Sequence, residues 1–80
     1  MGVRRDYAWW VSYSWIYEWL DEESGEWISD RDSESERFYC NKKDIKKEAE
    51  KKAIEAMAGL KYRNLKVTIN DCYRTTTEEI

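Results

Sequence analysis

Asp30, Asp32, Glu34 and Glu36 stand at every second position, and Glu26 falls on the same parity. Carboxylates in such a series can hold a cation, pass protons, or present a row of charge to a partner. In a β-strand alternate residues share a face, so these would form a one-sided ladder with rungs about 6.8 Å apart, two strand rises. As a cation site the run fails on position. Asp30-x-Asp32-x-Glu34 opens like a calcium loop, but Ser35 stands where the loop needs glycine and Asn41 where it needs a bidentate glutamate. Zinc fails too, because the chain has no histidine and Cys40 and Cys72 are not spaced as a ligand pair. No metal or other cofactor is expected. The missing histidine also removes the commonest general base, and neither cysteine has an activating neighbour in the sequence. The chain reads as non-enzymatic.

That leaves the row as a recognition surface. DNA carries one charge per roughly 3.4 Å of axis on each strand, and along the winding backbone neighbouring phosphates lie about 6–7 Å apart. A strand with carboxylates at alternate positions approaches that interval. A rigid hairpin carrying Glu26, Asp30, Asp32, Glu34 and Glu36 would then fill a Lys- and Arg-lined nucleic-acid channel in place of the nucleic acid. The expected partner is a basic surface on another protein, such as a nucleic-acid-binding enzyme, with Trp10 and Phe38 as apolar anchors. The competing reading is a charged edge strand that resists edge-to-edge aggregation.

The charge is unevenly distributed along the chain. Its 80 residues have a formal net charge of −3. Between Glu18 and Arg37 nine acidic residues face two basic ones, whereas between Lys42 and Arg63 eight basic residues face four acidic ones. Such a polarity bears on partners and association rates rather than on fold. Lys43, Lys47 and Lys51 would form an i, i+4, i+8 ridge on a helix, a solvated face or an alternative basic patch for weak nucleic-acid binding. Direct nucleic-acid binding on the aromatic face is not expected, because the ladder, placed on the same face as Trp10, would repel phosphates. No stretch is long and apolar enough to span a bilayer. Arg4 and Arg5 are not followed by a signal-peptide pattern, so a cytoplasmic protein with free thiols is expected.

In size, acidity and the Asp30-x-Asp32-x-Glu34-x-Glu36 run, the chain resembles in type the small acidic inhibitors that phages use against host defence nucleases, such as anti-CRISPR and anti-restriction proteins. The resemblance implies action by binding, without catalysis, inside a host cell. It covers no aligned motif, and no site residue is carried over from it.

The elements that must position the row can be outlined. The length fits one small α+β domain, 1–80, and 12 aromatic residues supply enough apolar area for a small core. Tyr7 to Leu20 is rich in strand formers. Its odd positions, Tyr7 through Trp19, make the larger apolar face and are assigned to the core. A turn at Glu22-Glu23-Ser24-Gly25, read as a three-residue loop with Gly25 in a G1 bulge, would set Glu22 opposite Glu26. On the odd face Trp15 then meets Ser33, Tyr13 meets Ser35, Trp19 meets Ser29 and Trp9 meets Tyr39. On the even face Leu20 meets Ile28, Trp10 meets Phe38, and Ser12 and Ser14 meet Glu36 and Glu34. The poorest pairs are Glu18 with Asp30 and Ile16 with Asp32. This register puts the ladder on the water-facing side together with Trp10, Ile16, Leu20, Ile28 and Phe38. So large an apolar group is either partly covered by the tail or an interface, and a homodimer is one way to fill it.

Asn41 is expected to cap a helix, with Asp44 three residues on and Cys40 and Ile45 as a hydrophobic staple. The helix should run to about Ala58 and stop at Gly59, burying Ile45, Ala49, Ala53, Ala56 and Met57 against the sheet. Leu65, Val67 and Ile69 alternate as a third strand. The order is β-β-α-β, with the last strand docked antiparallel on the apolar first strand and parallel to the second, a mixed sheet. Cys40 and Cys72 would then be about 9.5 Å apart, too far for a disulfide. Residues 75–80 are expected to fray.

Overall fold

A computed structural model describes residues 8–75 of the chain. Strands β1 (Ala8–Asp21) and β2 (Glu26–Phe38) form a long hairpin. A 3₁₀ turn (Lys42–Asp44) leads into helix α1 (Ile45–Ala56), and β3 (Tyr62–Thr75) closes the sheet. The strand order is β2-β1-β3. The aromatic strand is therefore central, and one helix covers one face, the expected α+β architecture. Both ladders are antiparallel. The expected mixed sheet is corrected to this extent: β2 and β3 are not neighbours, so no parallel pairing forms among the described residues.

The hairpin loop has four residues, Glu22 to Gly25, and pairs Asp21 with Glu26. The expected three-residue loop is one residue too short. Asp21 causes the difference. Its carbonyl accepts the Gly25 N–H at 2.7 Å, and its carboxylate accepts the Glu23 N–H at 3.1 Å, an Asx turn that adds one residue before the chain reverses. Gly25 takes φ 75°, in the left-handed region that glycine enters without strain. A slip of one residue turns every β2 side chain to the other face. Trp15 pairs with Asp32, Tyr13 with Glu34, Trp9 with Phe38, Trp10 with Arg37 and Ser12 with Ser35. The pairings expected from the shorter loop, Trp15 with Ser33 and Trp10 with Phe38 among them, do not form. The observed register also separates Glu18 from Asp30, a like-charge pair that costs stability.

The odd face of β1 does carry the core. Val11, Tyr13, Trp15 and Tyr17 pack with Phe38, Val67 and the helix residues Ile45, Ala49, Ala53 and Met57. Alanines let the helix lie close over Tyr13 and Trp15, whose rings stack 5.6 Å apart. Ala56, expected on this stripe, is exposed. The helix ends at Ala56, two residues early, in a tighter turn with the Ala58 N–H on the Glu55 carbonyl. Asn41 precedes the 3₁₀ turn, but its side chain makes no capping bond. Its carbonyl does the work by accepting the Asp44 N–H at 2.9 Å.

Strand β3 is longer than the Leu65–Ile69 alternation shows, because two irregularities interrupt its period. One lies where Tyr17 passes Asn64 and Leu65, with Asn64 at φ 56°; the other leaves Asn70 between the partners of Ser12 and Tyr13. Each inserts a residue, so Tyr62 and Leu65, and again Ile69 and Cys72, pack against the core three positions apart. Thr75 belongs to this strand, and the rest of the expected frayed tail lies outside the described residues, as do Tyr7, Arg4 and Arg5. Cys40 and Cys72 are both free. Among the described residues no helix is long and apolar enough to cross a membrane.

Trp15 is 5% exposed, so Trp15→Ala is expected to cost roughly 3–5 kcal/mol of stability. Denaturant unfolding checks this, and a variant as stable as the parent would refute the face assignment. The register is tested by cross-linking. With Cys40 and Cys72 replaced by serine, the pair Ser12→Cys and Ser35→Cys should oxidise readily, since the two hydroxyls lie 2.9 Å apart. Ser12→Cys with Glu36→Cys should not.

Candidate functional site

β2 is an edge strand, and α1 packs over β1 and β3. A 12-residue helix spans about 18 Å, whereas 14 residues of strand span about 46 Å. The helix-bearing side of β2 is thus left largely open, and Glu26, Asp30, Asp32, Glu34 and Glu36 occupy it. The expectation of one shared face holds for these five, but that face is the helix-bearing one. All are exposed except Glu36, which is half-buried.

Two rungs are anchored from beneath. The Tyr13 hydroxyl donates to Glu36 Oε2 at 2.7 Å, and the Tyr17 hydroxyl donates to Asp32 Oδ2 at 2.8 Å. The tyrosine rings lie in the core, so these side chains span from the central strand to the edge and hold the carboxylates by short charge-assisted bonds. The same contacts act on the phenols. Burial, and then the bond to the carboxylate, push Tyr17 up to about 12; Tyr13 is raised further by burial and Glu36. Lys52 of α1 approaches Glu36 at 3.5 Å and lies over the Phe38 ring. Glu26 and Glu34 have no side-chain partner among the described residues, and Asp30 accepts only the N–H of Arg31, at 2.8 Å.

Between α1 and β2 runs a cleft of about 380 Å³, lined by Tyr13, Trp15, Glu34, Glu36, Lys52, Glu55 and Ala56. Three carboxylates oppose one ammonium there, so the cleft favours a cationic side chain. Among the described residues no three acidic or cysteine side chains converge as a metal site.

The apolar anchors are corrected. Phe38 is 2% exposed and packs against Tyr13, with ring centroids 5.5 Å apart. It belongs to the core. Trp10 pairs with Arg37 on the opposite face of the sheet from the ladder. The apolar group expected on one face is divided: Trp10, Ile16 and Leu20 lie on the open side, and Ile28 and Phe38 on the helix side. Lys43, Lys47 and Lys51 are exposed, but Asp44, Glu48 and Glu50 are interleaved with them, and Lys51 pairs with Glu48 at 3.9 Å.

Tyr13, Tyr17, Lys52 and Glu55 were not expected at the site. A signal for the tyrosines exists: a phenol on a buried face needs a hydroxyl partner, and only the acidic parity of β2 offers carboxylates. No protein-family model, curated protein or solved structure matches the chain.

Tyr17→Phe should delete a late component, near pH 12, from the 295-nm absorbance titration. Because the fold favours the protonated phenol, its contribution to stability is complete below the ordinary tyrosine value near 10. That contribution is lost as pH rises through the folded value. Between pH 9 and 12 the parent should therefore lose more stability than Tyr17→Phe, as read by urea unfolding at each pH.

Proposed function

We propose that the chain is a non-enzymatic binding protein whose acidic row occupies a basic, nucleic-acid-binding surface of another protein. Such a protein would act in the cytoplasm, where its free cysteines stay reduced, in the manner of phage inhibitors of defence nucleases. The observation that carries the reading is the anchoring of Asp32 and Glu36 by the Tyr17 and Tyr13 hydroxyls. A solvated edge needs charge but not fixed charge. Carboxylates held from beneath lose little freedom on docking, which lowers the cost of binding. The unpartnered rungs Glu26 and Glu34 leave capacity for a partner's lysines and arginines, and the cleft beside Glu34 and Glu55 admits one such side chain. Individual surface pairs are weak, so affinity comes from the row as a whole and falls with salt.

The test reverses only the rungs that the fold does not use. Reversing Asp32 or Glu36 would strip a buried tyrosine of its partner, whereas Glu26→Lys, Asp30→Lys and Glu34→Lys together should leave circular dichroism and melting unchanged. Immobilised parent protein should capture basic nucleic-acid-binding proteins from a bacterial lysate, and the triple variant should capture them at least about tenfold less through like-charge repulsion. Equal capture by the two would refute the proposal.

A further inference from the structure

The register that puts the acidic row on the helix side gives the other face of the sheet a different character. Among the described residues no helix covers this face. Its rows run across β2, β1 and β3: Arg37, Trp10 and Tyr73; Ser35, Ser12 and Asp71; Ser33, Ser14 and Thr68; Arg31, Ile16 and Lys66; Ser29, Glu18 and Arg63. Four cations stand against two carboxylates. Glu18 is already engaged, accepting from Arg63 Nε at 2.6 Å and from Asn64 Nδ2 at 3.0 Å. The Arg63 guanidinium also stacks over the Trp27 ring at 4.1 Å. Arg31, Arg37 and Lys66 make no ion pair among the described residues. This face is positive, in a chain whose formal charge is −3.

We propose that the open sheet face binds a single-stranded nucleic acid. Three features favour this occupant. The charge is complementary to phosphate, and cations stand on both outer strands of the sheet. Trp10 is half-buried and Tyr73 is 54% exposed, and the two sit side by side in one row as a stacking platform flanked by Arg37. At the other end a depression of about 500 Å³ opens between Ile16, Tyr17, Glu18, Ser29, Asp30, Arg31 and Asn64; it has room for a base beside Arg31, and it reaches round the β2 edge to Asp30 of the acidic row. Between the ends lies a low floor in which Ser14 is buried, Ser12 and Ser35 bond to each other, Asp71 stands on β3, and the exposed hydroxyls of Ser33 and Thr68 are able to donate to phosphate or sugar. From Arg37 to Arg31 is about 20 Å, six strand rises, the reach of a few extended nucleotides. Aromatic stacking with a basic track is how single strands are held without sequence readout. A second copy of the chain fits less well, because it would bring two net-positive faces together.

The acidic row lies on the far side of the same strand. At physiological salt its repulsion is screened over about 8 Å, so it weakens binding without abolishing it.

The probe is a fluorescent oligouridylate of about 12 nucleotides, read by anisotropy against the full chain at low salt. Arg31→Glu with Arg37→Glu should weaken binding by about tenfold or more. Trp10→Ala should weaken it comparably. Lys43→Glu with Lys47→Glu and Lys51→Glu should change it by less than about twofold. Glu26→Gln, Asp30→Asn and Glu34→Gln together should strengthen it, since they remove charge behind the sheet. If Trp10→Ala fails to fold, the arginine variants, whose side chains are exposed, still decide the matter. The proposal is overturned by no binding at about 100 µM, the weak end of non-specific electrostatic association. It is equally overturned if the arginine reversals are without effect, if a duplex or an acidic polyglutamate peptide binds as tightly, or if sedimentation shows a dimer closed through Trp10.

Discussion

Asp21 closes the hairpin by accepting two bonds, the Gly25 N–H at its carbonyl and the Glu23 N–H at its carboxylate. Both are local, and each is worth on the order of 1 kcal/mol. Their consequence extends along the whole of β2. They fix the loop at four residues and so decide the parity with which thirteen residues of strand meet β1. With that parity Phe38 enters the core, the carboxylates meet the tyrosine hydroxyls, and the arginines go to the uncovered side. With the other parity Phe38 would face water, Glu18 would lie against Asp30, and the acidic row would share a face with Trp10.

The tyrosines show how a core and a charged edge can share one side of a sheet. A leucine at position 13 or 17 would fill the same depth and leave the carboxylates free. A phenol fills it and ends in a donor at the edge, where the covering helix stops. The acidic row is therefore coupled to the packing of β1. Lys52 adds a third tie, from the helix to Glu36, and lies over the Phe38 ring as well. The two faces of β2 divide the charge by sign, acidic toward the helix side and basic toward the open side. A strand with charge on both faces is also a poor template for pairing through its free edge.

Much of this was legible in the sequence, and the failures have specific causes. The density of Trp and Tyr in Tyr7–Leu20 marked the central strand, and odd-position burial followed from volume alone. The alanine stripe from Ile45 to Met57 marked the helix face. The docking of the last strand on the first followed from the need to cover an apolar edge. The register was not legible from Gly25, because glycine suits three- and four-residue loops alike; the deciding residue was Asp21, whose Asx turn has its own signature. The full length of β3 was hidden because its bulges break the two-residue period at Asn64 and Asn70. The shared face of the five carboxylates was readable from spacing, whereas which side of the sheet that face took depended entirely on the loop.

The central position of β1 has a consequence for biosynthesis. Chains fold as they emerge, N-terminal elements first. β1, the most aromatic segment, is made before either of its neighbours, and its β3 edge waits for Tyr62–Thr75, with the whole helix translated in between. During that interval β2 is the cover within reach among the described elements, joined by a four-residue loop and able to close within microseconds. The nascent hairpin then carries nine carboxylates between Glu18 and Glu36, charge that keeps half-finished chains apart while one aromatic edge is still bare. On this account the acidity of the second strand protects the first before any partner is met.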